Sequence, residues 1–195
     1  MAAKPDYNEA FEEHVWEVHG FFAYRLGTRS DAEDLTQETF ERAFRAWTRY
    51  DPTRASVRTW LLAIARNLLI DHYRAGSIRK EVELPENLDI EAPEEPMSLG
   101  IDPGLAGALA GLADRDREII ALRFGGDLSG PEIAALTGAS LANVQQILSR
   151  SLRRMRVALE EAGASVGAVE VAASEEGGAA SSEGAGSEGA SGVEG

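Results

Sequence analysis

Apolar residues recur at helical spacing in two stretches of this chain, separated by a stretch that has no period and is broken by prolines. In the first stretch, from about residue 6 to 77, Phe11, Val15, Val18 and Phe22 fall on one face of a helix expected to end near Gly27. A second helix, DAEDLTQETFERAFRAW, gathers Thr36, Phe40, Ala43, Phe44 and Trp47 on one face, with Asp34, Glu38, Glu41, Arg42 and Arg45 around the others. DPTRAS at 51–56 is a break, where Pro52 after Asp51 is turn chemistry. A third helix over about 55–74 puts Val57, Trp60, Leu61, Ile64 and Leu68 on one arc and Thr59, Arg66, Asn67 and Arg74 roughly opposite.

Periodicity is lost around Pro85, Pro93 and Pro96 and resumes near Leu105. LADRDREIIALRFG predicts a helix capped at Asp114 and ended at Gly125. LSGPEIAALTG predicts another, opened by a capping box of Ser129 and Glu132 with Pro131 in its first turn. Gly138-Ala139-Ser140 then makes a tight turn into SLANVQQILSRSLRRMR, capped by Ser140, with Val144, Leu148, Ser151, Leu152 and Met155 on the packed arc. Strand signals are essentially absent. The expected fold is all-α: two small helical domains, 6–77 and 105–162, joined by a flexible linker over 78–104. After about residue 163 only Gly, Ala, Ser, Glu and Val remain, a composition that predicts a disordered tail over 163–195.

Charge sharpens this division. The chain of 195 residues carries 33 acids and 19 bases, a net charge of -14. Residues 81–102 hold eight acids and no base, and residues 157–195 hold eight more with no base. The remainder is therefore slightly basic, and whole-chain acidity says little about its partners. With no cysteine, disulfides and thiolate metal sites are excluded. The N-terminus MAAKPDYNEA has no signal-peptide core, and the longest apolar run, WLLAIA, falls short of the ~20 residues that span a bilayer. A soluble, cytoplasmic protein without membrane insertion is expected.

A short helix, a glycine-containing turn and a second helix form a helix-turn-helix pattern. Gln146, Ser149, Arg150 and Arg153 project from the second helix opposite its packed arc, flanked by Arg154 and Arg156. Gln and Arg read base edges bidentately, and Arg also holds phosphate. The bland alternative is a solvated amphipathic helix, but the capped first helix and short turn specify a docking geometry as well as a charge. Around the first domain's turn, aromatics and bases interleave (Trp47, Arg49, Tyr50, Arg54, Arg58, Trp60), a mixture suited to stacking unpaired bases. Trp47 and Trp60 taken singly read better as core. His14, His19 and His72 lack metal-like spacing, and no paired acids accompany a nucleophile or phosphate cradle, so neither cofactor, metal nor catalysis is expected.

In order, DAEDLTQETFERAFRAW, VRTWLLAIARNLLIDHYR, LADRDREIIALRF and LSGPEIAALTGAS resemble the extracytoplasmic-function sigma factors, small subunits of bacterial RNA polymerase. The resemblance covers residues 8–77 (region 2) and 105–160 (region 4). It implies a non-catalytic factor that binds core polymerase and directs promoter-specific initiation. It implies docking on the beta-prime clamp helices by Asp31, Glu33, Asp34, Leu35, Gln37 and Glu38, with the beta subunit as a further contact. Recognition and melting of a -10 element would fall to Arg49, Tyr50, Asp51, Thr53, Arg54, Ser56, Arg58, Trp60, Arg66, Asn67 and Arg74. Reading of a -35 duplex would fall to Ser129, Glu132, Ser140, Asn143, Gln145, Gln146, Ser149, Arg150, Arg153 and Arg154. Many members are held inactive by an anti-sigma factor, which the resemblance adds as a partner. Gln145 and Ile147 stand where the family usually has Lys and Arg. Two other readings stay open: a helix-turn-helix regulator that needs no polymerase, and a helical interaction protein that binds no nucleic acid.

Overall fold

The computed structural model describes the backbone of residues 4–26, 28–82 and 102–179, with side chains through 75 and 163 in the last two spans. Every regular element among them is helical: α1 (Tyr7–Ala23), α2 (Arg29–Ala46), α3 (Val57–Val82), α4 (Pro103–Ala110), α5 (Asp114–Ile120), α6 (Gly130–Thr137) and α7 (Leu141–Ala179). A 3-10 turn, Trp47–Arg49, closes α2, and a π-turn, Ala121–Gly125, follows α5.

Local chemistry starts each helix. Asp6 accepts the Asn8 N–H at 2.8 Å while Glu9 accepts the Asp6 N–H at 3.3 Å, satisfying orphan donors at the head of α1. Thr28 does the same for α2 and Ser140 for α7, each accepting an N–H three residues on at 3.2 Å. The expected box at α6 is present: Glu132 accepts the Ser129 N–H at 2.9 Å. Gly138 ends α6 in the left-handed region (φ 72), where a Cβ is disfavoured.

Several boundaries depart from the sequence reading. Helix α1 stops at Ala23: the Tyr24 N–H makes the last helical bond, to the Gly20 carbonyl, and the Arg25 N–H then turns tighter, to the Phe22 carbonyl at 2.9 Å. Asp114 is the first residue of α5 and not its cap; Ala113 stands at the cap, and Asp114 contributes charge to the positive helix end. The α5 helix does not run evenly to Gly125. It widens, and the N–H groups of Gly126 and Leu128 reach back to Ala121 and Leu122 at 2.9 and 3.0 Å. Helix α3 continues to Val82 and α4 begins at Pro103, capped by Asp102, so the aperiodic segment is narrower than 78–104. Helix α7 continues through Ala179, beyond residue 163 where disorder was expected. Alanine and glutamate are good helix formers, and an already nucleated helix extends at low cost. The rest of the expected tail, 180–195, and the linker segment 83–101 lie outside the described residues.

The core does not respect the two-stretch pattern. Val18, Phe21, Phe22, Phe40, Leu61, Leu62 and Leu68 from α1–α3 form one continuous cluster with Ile119, Leu122, Leu128, Ile133, Val144 and Ile147 from α5–α7. A smaller cluster of Ala108, Leu109, Leu112, Ile120 and Met155 ties α4 to α7. At one place the halves meet backbone on backbone. A Cβ on Gly20 would lie 2.7 Å from the Gly125 carbonyl oxygen, and one on Gly125 would lie 2.5 Å from the Gly20 carbonyl group. Gly126 is equally tight, since a Cβ there would meet Leu62 at 2.7 Å.

Ile147, at a position the resemblance made basic and DNA-facing, is 2% exposed in this core. Conversely Phe11, Phe44 and Leu152, expected on packed faces, are exposed. Truncating Ile147 to Ala should cost about 2–4 kcal/mol in urea unfolding, because the cavity opens inside a core that both halves share.

Candidate nucleic-acid interface

The α6–turn–α7 unit presents Gln145, Gln146, Ser149, Arg153 and Arg154 to solvent on one side of α7. Val144, Ile147, Ser151 and Met155 are buried on the other, which fixes the rotation of the helix. Arg150 is committed elsewhere. Its guanidinium grips the buried Asp116 carboxylate bidentately, Nη2 to Oδ1 at 2.7 Å and Nε to Oδ2 at 3.2 Å. The hydrogen bonds it donates to Asp116, then the charge of that carboxylate, raise the Arg150 pKa. This pair is a strut between α5 and α7, with a fork geometry that only arginine supplies. Arg154 donates to the Gly111 carbonyl at 3.2 Å. Ser129, Glu132 and Ser140, named as duplex contacts, serve the helix caps, and Asn143 is half-buried in the first turn of α7.

The turn between α2 and α3 is built around Asp51, which accepts the Thr53 N–H at 2.9 Å and the Thr53 hydroxyl at 2.7 Å. Those bonds, from the side chain first, hold the Asp51 carboxyl below its ordinary pKa. Tyr50 lies inside this turn. Its ring is stacked on Trp47 with centroids 5.2 Å apart and tilts against Trp60 at 5.1 Å, while its hydroxyl donates to the Ala55 carbonyl at 2.9 Å. It is buried, and burial raises its pKa, so Tyr50 supports the turn and is no open stacking platform. Arg49, Asp51, Thr53, Arg54 and Ser56 are exposed around it, and Asn67 and Arg74 are exposed farther along α3.

Two residues of α3 from the expected single-strand surface, Arg58 and Arg66, face the second half of the chain, and Thr59 beside them does so too. Arg58 donates to the Asp127 carboxylate at 2.8 Å and its carbonyl at 2.9 Å, and its Nε lies 3.7 Å from Glu17. Arg66 pairs with Glu118 at 2.8 Å. Thr59, from the same face, donates to Glu132 at 3.2 Å. Bonds from Ser129, with smaller contributions from Thr59 and Arg58, hold the Glu132 carboxyl below the ordinary glutamate range. The structure thus separates the set into an open group at the turn and a covered group on α3.

On α2, Glu33, Asp34 and Gln37 are exposed and Asp31 and Glu38 half-exposed, while Leu35 is core. Glu33 and Glu38 pair within the helix with Arg29 and Arg42 at 2.6 and 2.7 Å. Beside them runs an apolar groove of about 840 Å³ between α1 and α2, lined by Tyr7, Phe11, Trp16, Phe40 and Phe44 with Gln37 at its rim. Sequence reasoning missed this groove. Trp16 is 75% exposed and lies next to Val15 and Glu17, off the phase of the Val18–Phe22 face, which was the available signal. His14 is buried with its ring 3.6 Å from Glu17, whereas His19 and His72 are half-exposed. Among the described residues no group of acids and histidines could hold a metal, and no helix is long and apolar enough to cross a membrane.

Residues 10–77 match the family Sigma-70 region 2, and residues 108–157 match Sigma-70, region 4. The chain is 38% identical over 166 residues to the ECF RNA polymerase sigma factor SigE of Mycolicibacterium smegmatis, covering 80% of this chain and 62% of that protein. It is 30% identical to BldN of Streptomyces coelicolor, covering 76% and 58%. It is 31% identical to RpoE of Cereibacter sphaeroides, covering 76% and 83%. The chain thus spans about three fifths of the first two relatives. Among solved structures, its fold is similar to sigma factor RpoE in complex with the anti-sigma factor NepR from Bartonella quintana, with a TM-score of 0.65, 22% identity and coverage of 80% and 97%. It is also similar to CnrH in complex with the cytosolic domain of CnrY, with a TM-score of 0.55, 23% identity and coverage of 80% and 88%.

Two consequences of this geometry are measurable. In a double-mutant cycle, Arg150→Ala and Asp116→Ala should each lower the thermal midpoint, and the double variant should lose less than the sum, since either change removes the same strut. Glu132→Gln should destabilise the protein at neutral pH. Because the folded-state pKa is depressed, that stabilisation is fully present above about pH 4.3 and is lost as pH falls through the lower folded value. The difference from wild type in denaturant unfolding should therefore shrink between pH 5 and pH 3.

Proposed function

Because the chain belongs to the extracytoplasmic-function sigma factor family, we propose that it binds core RNA polymerase and directs promoter-specific initiation. The observation that carries this reading is the ordered pair of family regions, with 31% identity to a sigma factor across 83% of that protein's length. The α6–turn–α7 unit reads a -35 element as duplex, within a region 4 domain spanning about 105–162. The exposed Gln145, Gln146, Ser149 and Arg153 are its best-supported readers, because Arg150 is held by Asp116. The region 2 domain, about 6–77, engages a -10 element as its strands part. The open cluster of Arg49, Thr53 and Arg54 on the Asp51 turn suits backbone tracking. Extruding a base costs a few kcal/mol, which contacts from α3 offset once they are free.

Core polymerase docks on α2 through Asp31, Glu33, Asp34, Gln37 and Glu38, with Leu35 setting the helix from behind and the adjacent aromatic groove adding apolar area. The factor supplies no catalytic group, works in the cytoplasm and takes an anti-sigma factor as a further partner, as the RpoE of Bartonella quintana does in its complex with NepR.

The test mixes the purified chain with core polymerase and a promoter library. Discrete transcript starts are expected, and failure to associate with core polymerase would remove the reading. Arg153→Ala should weaken binding to a selected -35 duplex by about 1–3 kcal/mol, as for a base-edge arginine. Asp34→Ala with Gln37→Ala should weaken core association and leave the duplex affinity of the free chain unchanged.

A further inference from the structure

Arg150 and Asp116 are joined by hydrogen bonds at 2.7, 3.0 and 3.2 Å, and both carboxylate oxygens are taken. The two ends of the pair differ: the Asp116 side chain is 6% exposed and that of Arg150 52%. A buried ion pair contributes little net stability, and its best-attested use is to fix a register. The place of this pair along α7 shows which register that is. Val144 and Ile147 enter the large apolar cluster, and Met155 enters the smaller one. Between them lies Ser151, fully buried, whose hydroxyl forms no hydrogen bond. Apolar contact is non-directional, so it opposes withdrawal of the helix more than rotation about its own axis. The Arg150 fork is directional, and it grips α5 beside that gap.

Ala142, Gln146, Ser149 and Arg153 fall at i, i+4, i+7 and i+11, one exposed stripe opposite the buried arc. Arg150 is turned about 100° from Ser149, towards α5. Among the described residues, the side chains of Gln146, Ser149 and Arg153 have no intramolecular partner, so the rotation of α7 alone sets their direction. A helix with its side chains is about 6 Å in radius, and a rotation of ~10° therefore shifts a side-chain tip by about 1 Å. A shift of that size separates a hydrogen bond from none. We propose that Asp116 is a positioning residue for recognition of the -35 duplex: through Arg150 it fixes the rotation of α7, and by neutralising that arginine it lowers attraction to DNA of any sequence. This rests on the functional reading above and says where its selectivity comes from. Attraction to phosphate is the sequence-independent part of DNA binding, and contacts to base edges are the selective part. Asp116 weakens the first and sharpens the second without touching DNA.

The test uses the full chain and two labelled duplexes in fluorescence anisotropy, one of mixed sequence and one selected by the wild-type chain from a randomised pool. Asp116→Asn keeps the shape and releases Arg150. It should raise affinity for the mixed duplex about twofold or more and steepen its salt dependence by one phosphate contact, a slope change of about 0.9. The preference for the selected duplex should fall about fivefold or more, as when a bidentate base contact is lost. Adding Arg150→Ala should return the mixed-duplex affinity and slope towards wild type and leave the preference low. Arg150→Lys keeps the charge and loses the fork, so it should lower the preference too. Circular dichroism gives the folded fraction of each variant, and if Asp116→Asn does not fold, Arg150→Lys decides alone. A purely structural role would weaken binding to both duplexes by one factor, which overturns the proposal. A preference that survives Asp116→Asn overturns it as well, because Arg150 is then a reader set free. A wild-type chain that selects no duplex removes both the proposal and the -35 reading. Association of the wild type with core polymerase, measured in parallel, judges the rest of the functional reading separately, since neither duplex measurement involves polymerase.

Discussion

The approach of Gly20 in α1 to Gly125 in the π-turn is the constraint on which the rest of the arrangement depends. Neither residue has space for a Cβ, so the two backbones touch directly. That contact fixes the distance between α1 and the end of α5. At that distance Leu122, Leu128 and Ile133 enter the same apolar cluster as Phe21, Phe22 and Leu62. The π-turn is what makes this possible. One wider turn points Gly125 at α1 and lets Leu128 be buried three residues past the end of the turn. A regular α-helical turn would have carried the chain past the junction.

Burial of apolar surface supplies the attraction between the halves, and the ion pairs supply its register. Arg66–Glu118 and Arg58–Asp127 are part-exposed pairs, and pairs of that kind contribute little net stability. Their consequence is chemical: they determine which cations remain available to an anionic partner. The free and covered arginines of the first half are divided along this line, Arg49 and Arg54 at the turn against Arg58 and Arg66 on α3. The Arg150–Asp116 strut does the same in the second half, where a cation of the reading helix instead fixes its orientation.

The aromatic turn illustrates how one composition serves two purposes. Interleaved tryptophan, tyrosine and arginine suits base stacking, yet Tyr50 is enclosed between Trp47 and Trp60 and bonded to Ala55. The stack makes a rigid base for the Asp51 turn, and the arginines project from it. Meanwhile three exposed aromatics, Phe11, Trp16 and Phe44, line the groove of α1 and α2 next to the acidic face of α2.

Much was legible in the amino-acid order, because it depends on neighbours three or four residues apart. Helix positions, the Ser129–Glu132 box, the Gly138 turn, the all-helical class and the separation of acidic from basic segments all follow from local rules. The ordered motifs also carried the family. What the order could not reveal depends on residues far apart in sequence. Hydropathy marked Phe44 as apolar but could not say that it stands exposed, and the family resemblance marked Ile147 as a departure without showing that it is core. Arg58, Arg66 and Arg150 read as free cations, since their carboxylate partners lie 69, 52 and 34 residues away. Periodicity reports which face of a helix is apolar, and only the packed structure decides what that face meets and which charges are left for a partner.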